Sequence, residues 1–173
     1  LEGSEFQYNQ TGYVIHGNIY EARPDINAIF HLHTLAGVAV SAMPQGLMPI
    51  SQFAFHFYNR ISTYNYNSLA LDNDKHGGDL QSALGDYKSL LLQNHGTLTC
   101  GETIEEAFLY MYFLERACQV QVATLTCGNP IIPSPEVCEK SAQELRDFEP
   151  AFGSRDWTAL LRVIEKNYPD YKE

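Results

Sequence analysis

Apolar residues recur at helical spacing through most of the chain and form short continuous runs elsewhere, a pattern that predicts alternating helices and strands. The clearest helix follows Thr103: Thr103 and Glu106 have capping-box spacing, and an apolar stripe runs from Ile104 to Leu125, ending before Gly128. Further helices are predicted over 13–23, 35–43, 51–62, 80–84 and 154–167, and one that begins at Ser134-Pro135.

Two segments have the character of strands. Residues 27–33 read as a short extended stretch, and Leu90–Leu92 reads as a buried strand that breaks at residues 93–96. Residues 63–79 are rich in Asn, Asp, Tyr and Gly, which indicates mainly loop or short edge strands. No repeat or long linker divides the chain, so residues 1–173 are predicted to form a single α/β domain.

Composition narrows the class of protein. The 173 residues are 45% hydrophobic and 18% charged, which supports a sizeable core and excludes intrinsic disorder. Eleven Lys and Arg against 21 Asp and Glu give a formal charge of −10, the opposite of a nucleic-acid-binding surface. No apolar run approaches the length needed to cross a bilayer.

The start of the chain and its cysteines bear on its compartment. Residues 1–5 are polar and acidic and begin with Leu1, so they resemble no secretory signal, and we expect an N-terminal segment to be missing upstream. The four cysteines lack C-x-x-C spacing, and Cys118 falls within the apolar stripe of the long helix. Buried, reduced thiols in a cytoplasmic protein are the expectation.

The candidate chemistry begins with His31 and His33. Side chains two apart on a strand leave the same face, so both imidazoles are predicted to project together while Ala28, Phe30 and Leu32 pack behind them. Two neutral imidazoles can chelate a divalent ion such as zinc, but the pair taken alone is more often two partly buried side chains bonded to backbone.

His95 lies where a predicted strand ends, directly before Gly96. Ligands collect at the strand ends of α/β sheets, and a third imidazole there would complete a set of three nitrogens. Three protein ligands leave a position open for substrate, which is the catalytic form of a metal site. Sequence separation alone does not show that His95 meets the pair.

Two motifs carry a resemblance to a known family. Residues 22–25 (Ala-Arg-Pro-Asp) with 31–34 (His-Leu-His-Thr), and residues 90–96 (Leu-Leu-Leu-Gln-Asn-His-Gly) with the Gly and Glu that follow, resemble the class II aldolase/adducin family. The likeness spans residues 8 to about 126. Residues 9–16 and the C-terminal stretch around Trp157 look closer to an adducin-like bacterial branch than to the sugar-phosphate aldolases.

The resemblance implies a three-layer α/β/α domain around a central, mostly antiparallel sheet, and a homotetramer with sites near subunit interfaces. It also implies a divalent metal ion, usually zinc, held by His31, His33 and His95 and acting as a Lewis acid on a small-molecule substrate.

The sequence departs from the aldolase pattern at one position. The glutamate that serves the aldolases as acid/base corresponds to Gly12, which has no side chain to move protons. His16, four residues later, is the best remaining candidate for proton transfer; His56 and Tyr58 are weaker ones. Glu115, near the apolar stripe, is expected to orient a ligand or a neighbouring subunit or to form a salt bridge, and Thr34 to cap a helix.

The sequence therefore predicts a metal-dependent lyase that acts on a small carbonyl or hydroxy-acid substrate by aldol cleavage or decarboxylation. The alternative is a non-catalytic, adducin-like binding or assembly module.

Overall fold

A computed structural model of the chain describes residues 7–71, 73–148 and 151–172, of which residues 73–77 are described by their backbone alone. The polar start at residues 1–5 lies outside the described residues. The elements, in chain order, are α1 Gln10–Ala22, β1 Ala28–Leu32, α2 Leu35–Ser41, α3 Gln52–Phe55, β2 Ser62–Tyr64, α4 Asn73–Leu84, β3 Ser89–Leu92, β4 Gly96–Gly101, α5 Ile104–Cys127, α6 Pro135–Phe148 and α7 Ser154–Asn167.

The strands form one sheet in the order β1-β4-β3-β2. β4 pairs antiparallel with both β1 and β3, and β2 pairs parallel with β3. The predicted, mostly antiparallel sheet is therefore confirmed within the described residues.

Alternating side chains of β3 divide the core into two clusters. Leu90 and Leu92 pack with apolar residues of α1 and α4, whereas Leu91 packs with residues of α2 and α5. Because successive side chains of a strand leave opposite faces, one continuous leucine run supplies both clusters. Helices thus cover both faces of the sheet, which confirms the α/β/α layering.

Most predicted helices form close to their expected bounds, because their ends are capped as the sequence indicates. The backbone amide of Glu106 donates to the Thr103 hydroxyl at 3.2 Å, and Glu106 in turn accepts from the amide of Glu102 at 2.8 Å. Asn9 caps α1 by accepting from the Gly12 amide at 3.1 Å, which starts this helix three residues before the predicted Tyr13.

The helix predicted over 51–62 is wrong beyond Phe55. The chain turns through residues 56–60, and Asn59 takes a left-handed conformation with φ of 54° before β2 begins. Phe57 is nevertheless only 2% exposed. The four-residue apolar spacing thus marks burial of Phe57 rather than a continuing helix.

The prediction for residues 63–79 is right for the edge strand β2 and wrong for the start of α4, which begins at Asn73 instead of Leu80. The first half of α4 is polar with two glycines, so only Leu80 and Leu84 give an apolar signal. Strand β4 is absent from the prediction because its sequence, Gly-Thr-Leu-Thr-Cys-Gly, is wholly buried although only two of its six residues, Leu98 and Cys100, are hydrophobic.

Arg23, in the Ala-Arg-Pro-Asp motif, ties the end of α1 to the turn after α4. Its guanidinium donates to both carboxylate oxygens of Asp25, at 2.8 and 2.7 Å, and to the carbonyl of Gly85 at 2.6 Å. This bonding holds the pKa of Asp25 down at about 2. The motif thus fixes the entry to β1, the strand that carries the first histidine.

The cysteines are all free thiols: Cys100, Cys118 and Cys138 are buried, and Cys127 is exposed. Burial raises the pKa of Cys100 and of Cys118 to about 12, so both stay protonated at neutral pH. Within the described residues, no helix combines the length and the apolar character that crossing a membrane requires.

Candidate metal centre

The register of the sheet brings the three predicted histidines together. In the β1–β4 pair, His31 lies opposite Leu98 and Leu32 lies opposite Thr97. β4 begins at Gly96, so the residue before it, His95, reaches the end of β1 where His33 follows the strand. The antiparallel pairing of β1 with β4 thus brings together histidines that lie more than sixty residues apart in the sequence.

A tight turn between β3 and β4 aims His95. Asn94 takes a left-handed conformation with φ of 54°, and the His95 amide donates to the Leu92 carbonyl at 3.0 Å. Gly96 passes so close to β1 that an added Cβ would lie 2.3 Å from the Leu32 carbonyl oxygen and 3.1 Å from Cδ2 of His33. Only glycine permits this approach, which the sequence pattern His-Gly already suggested.

The three imidazoles form a compact group. Nε2 of His31 lies 2.9 Å from Nε2 of His33. The ring centroids are 4.6 Å apart for His31 and His33, 4.8 Å for His31 and His95, and 4.6 Å for His33 and His95. One nitrogen from each ring falls within 4.8 Å of the other two. The convergence on which the sequence argument depends is therefore present.

Backbone bonding and burial fix the state of His31. Its Nδ1 lies 3.0 Å from the Thr97 carbonyl, which can only accept, so we place the proton on Nδ1 and the lone pair on Nε2. Burial, followed by the charges of the other imidazoles, lowers the pKa of His31 to about 4. Burial likewise lowers the pKa of His95. Both rings are therefore neutral at pH 7 and offer lone pairs.

A cavity of about 270 Å³ opens beside the group, with His33 and His95 on its wall. Its remaining lining is mostly apolar and aromatic, including Val14, Leu92 and the side chains of Tyr64 and Tyr66. Sequence reasoning missed these tyrosines because they lie in a segment without periodicity. The group therefore has an adjoining space in which a small molecule can sit.

The strand geometry differs from the prediction in two details. β1 ends at Leu32, so His33 lies just beyond the strand, and Leu32 is 37% exposed instead of packing behind the histidines. Ala28 is buried as expected, and the Phe30 ring contacts the Phe108 ring at 5.8 Å. The side chains that pack behind His31 and His33 are therefore those of Ala28 and Phe30, without Leu32.

His16 lies on α1 outside the group of three, yet near it. Burial lowers the pKa of His16, and a charge on His16 lowers that of His31. Gly12, one turn before it, has room for a side chain, since an added Cβ would meet nothing closer than 3.8 Å. Packing would thus permit a side chain at position 12, so the missing carboxylate is a chemical difference from the aldolases and not a consequence of crowding.

Two further candidates, Thr34 and Glu115, are hydrogen-bonded to each other and to nearby residues. The Thr34 hydroxyl accepts from the Gly37 amide at 3.2 Å and donates to Glu115, and Gln119 donates to the same carboxylate at 2.7 Å. Thr34 is thus a helix cap, as predicted. Among the described residues, Glu115 bonds to these two neutral partners of its own chain and forms no salt bridge.

His56 packs against Phe113, with parallel rings 4.6 Å apart, and burial lowers its pKa to about 4. The unfolded chain takes up a proton near pH 6.5 whereas folded His56 does not, so stability is full above pH 6.5 and falls as the pH drops towards 4. His56→Phe keeps the ring contact and removes the titration. We expect the unfolding free energy of the wild type, measured relative to that of His56→Phe, to be about 3 kcal/mol lower at pH 4 than at pH 7.

Denaturant unfolding of both proteins at several pH values measures this difference, in which the titration of the groups that the two proteins share cancels. Parallel pH profiles for wild type and His56→Phe would contradict the burial of a neutral His56.

Comparison with known proteins places this chain in a family. The model of the class II aldolase and adducin N-terminal domain matches residues 1–122, and the chain belongs to that family. A Pseudomonas aeruginosa protein that carries the name aldolase class 2 protein is 36% identical over 178 residues, covering 100% of this chain and 68% of the relative. Alpha-adducin of Rattus norvegicus is 44% identical over 124 residues, covering 70% of this chain and 17% of the adducin.

Solved structures show the same relationship. An aldolase II superfamily protein from Pseudomonas syringae superposes with a TM-score of 0.86 at 38% identity, covering 95% of this chain and 66% of that one. L-fuculose 1-phosphate aldolase from Glaciozyma antarctica PI12 gives a TM-score of 0.79 at 28% identity, covering 95% and 64%. The chain therefore spans about two thirds of the length of these relatives and about a sixth of adducin.

Proposed function

We propose that the protein is a divalent-metal-dependent lyase acting on a small carbonyl or hydroxy-acid substrate, with zinc bound by His31, His33 and His95. The observation that carries the proposal is the convergence of one nitrogen from each of these rings within 4.8 Å. The similarity to an L-fuculose 1-phosphate aldolase structure supports a lyase reaction, and aldol cleavage and decarboxylation both belong to this class.

The donor set fits zinc. Imidazole nitrogens bind zinc at about 2.0–2.1 Å, which in a tetrahedral site separates two of them by roughly 3.3 Å. The 2.9 Å between the Nε2 atoms of His31 and His33 is close to that separation. His31 donates its other ring proton to the Thr97 carbonyl, the outer bond that orients metal-bound histidines. When bound, such an ion supplies Lewis-acid polarisation of a substrate carbonyl or hydroxyl oxygen.

The chain's own residues would hold and shield the substrate. The cavity has His33 and His95 on its wall, and its apolar walls, such as Val14 and Leu92, would limit the access of water to a bound substrate. Thr11 and Asn94 add polar groups at the cavity that can orient a substrate oxygen.

We assign proton transfer to His16. Burial lowers the pKa of His16, so its ring is neutral and able to accept a proton at pH 7, and once protonated it would lower the pKa of His31. Gly12 offers no carboxylate for this role. His16→Gln should therefore lower turnover while zinc stays bound.

The chain is further proposed to assemble as a homotetramer in the cytoplasm. Large apolar side chains on its surface, among them Leu35 at 90% and Ile131 at 91% exposure, are suited to subunit contacts. Four free thiols suit a reducing compartment.

Turnover assays test the function. Hydroxy-acids, aldol products and aromatic carboxylates would be incubated with protein as purified, with protein stripped by chelator, and with stripped protein given back zinc. We expect cleavage of at least one compound, lost on stripping and restored by zinc. Activity that survives complete removal of metal would refute the proposed function.

A second candidate function is a non-catalytic, adducin-like binding or assembly module. It is favoured by the 44% identity to alpha-adducin and by Gly12 at the acid/base position. Two results together would favour this module over the lyase. The zinc-loaded protein would turn over none of the compounds, and His31→Ala would leave self-association unchanged.

A further inference from the structure

A second cavity, of about 200 Å³, lies at the opposite end of β3 from His95. His95 follows the end of β3, whereas Lys88 comes just before its start. Arg60, from the turn after α3, and Arg146, from α6, line the cavity together with Lys88. Three of the eleven basic residues of a chain with a formal charge of −10 therefore meet at one cavity.

The two guanidinium groups share a single carboxylate. Arg60 and Arg146 each place Nη2 3.9 Å from the same Glu139 oxygen, at the outer limit of an ion pair. Asp86 is the carboxylate residue among those that line the cavity. Lys88 is better paired, at 2.7 Å from Glu106 and 3.3 Å from Glu102. Arg146 also donates to the neutral Gln143 side chain, so the shared Glu139 is the one carboxylate paired with the two arginines among the described residues.

Two arginine donors are buried without a hydrogen-bond partner among the described residues. They are Nε of Arg60 and Nη1 of Arg146. Buried donors of charged groups are seldom left without an acceptor, which is usually a ligand, a water molecule or another protein group. Both belong to residues that line this cavity, so neither guanidinium is saturated by partners among the described residues.

The remaining walls suit a compact ligand. Tyr110 and His56 flank the arginines, and burial is the main cause that raises the pKa of the Tyr110 hydroxyl, so this group stays a neutral donor. Burial also keeps His56 uncharged at pH 7. A space of this size accepts a single small anionic group with little attached to it.

We propose that this cavity binds a small oxoanion, the phosphate or carboxylate group of a metabolite, between Arg60 and Arg146. The planar guanidinium fork matches both kinds of anion, and Lys88 adds attraction without direct pairing. The site is separate from the three histidines and does not depend on the function proposed for them.

Calorimetric titration of chelator-treated full chain with inorganic phosphate, and separately with succinate, tests the site at constant ionic strength. We expect one saturable site per chain for at least one of the two anions, and the tighter of the two identifies the group. Arg60→Gln and Arg146→Gln should each weaken binding about tenfold or more. Arg146→Lys, which keeps the charge and loses the fork, should weaken it less than Arg146→Gln.

Two further variants are controls. Lys140→Gln removes the same charge from α6 at a side chain that is 77% exposed, and should leave the affinity unchanged. His31→Ala should also leave it unchanged, which separates this site from the metal site. Dissociation constants above about 10 mM for both anions, or equal weakening by Lys140→Gln and Arg146→Gln, would overturn the proposal. Thermal melts of each variant with and without anion show that folding is retained.

Discussion

Replacing His31 by alanine is expected to weaken zinc binding by about 100-fold or more and to abolish zinc-dependent turnover. Structural zinc sites bind with about 10–16 kcal/mol shared among four ligands, so one ligand contributes roughly 3 kcal/mol. His31 is also the ring whose orientation is fixed by the Thr97 carbonyl, and its loss removes the best-positioned nitrogen of the three.

Competition with a chromophoric zinc chelator measures this affinity. The matched control is His56→Ala, another buried histidine with a pKa near 4 that lies outside the group of three. It should bind zinc as the wild type does. Equal affinity for His31→Ala and wild type, with both folded, would show that the ion is held elsewhere.

Gly96→Ala is expected to destabilise the fold by roughly 3 kcal/mol or more and to weaken zinc binding as well. The added Cβ would lie 2.3 Å from the Leu32 carbonyl oxygen, a backbone atom that cannot move without shifting β1. That shift would carry His33 away from His95. A single methyl group would therefore disturb the pairing of two strands and the site at their end.

Gly17→Ala is the matched control because Gly17 lies within α1, where an added Cβ meets nothing within 4 Å. Alanine there should stabilise the helix by up to about 1 kcal/mol. Thermal and denaturant unfolding of the two variants compare the effects directly. If Gly96→Ala unfolds at the wild-type midpoint, the close approach of β4 to β1 is not a constraint on this fold.

The residue pattern predicted an α/β domain and the histidines as candidate ligands for physical reasons, whereas the layering followed from the family resemblance. His31 and His33 share a strand face because strand side chains alternate, and the glycine after His95 marks a close backbone approach. That the rings converge depends on the register of β1 against β4, which local patterns do not specify. The family resemblance supplied that link before the structure did.

Strand β4 and the arginine cavity were both missed by the sequence analysis. β4 is buried on both faces yet contains two threonines with internal hydrogen bonds. The Thr97 hydroxyl donates to Sδ of Met111 at 3.5 Å, and the Thr99 hydroxyl donates to the Ala107 carbonyl at 2.8 Å. Apolar periodicity cannot detect such a strand. The arginine cavity was missed for a different reason: Arg60, Lys88 and Arg146 come from three separate segments that only the tertiary fold brings together.

Anomalous X-ray diffraction at the zinc edge, on crystals of the full chain grown with one equivalent of zinc, tests the central claim most directly. We expect one anomalous peak per chain, within about 2.0–2.1 Å of a nitrogen from each of His31, His33 and His95. A peak bonded to other residues, or the absence of a peak between these rings, would contradict the assignment of the metal site.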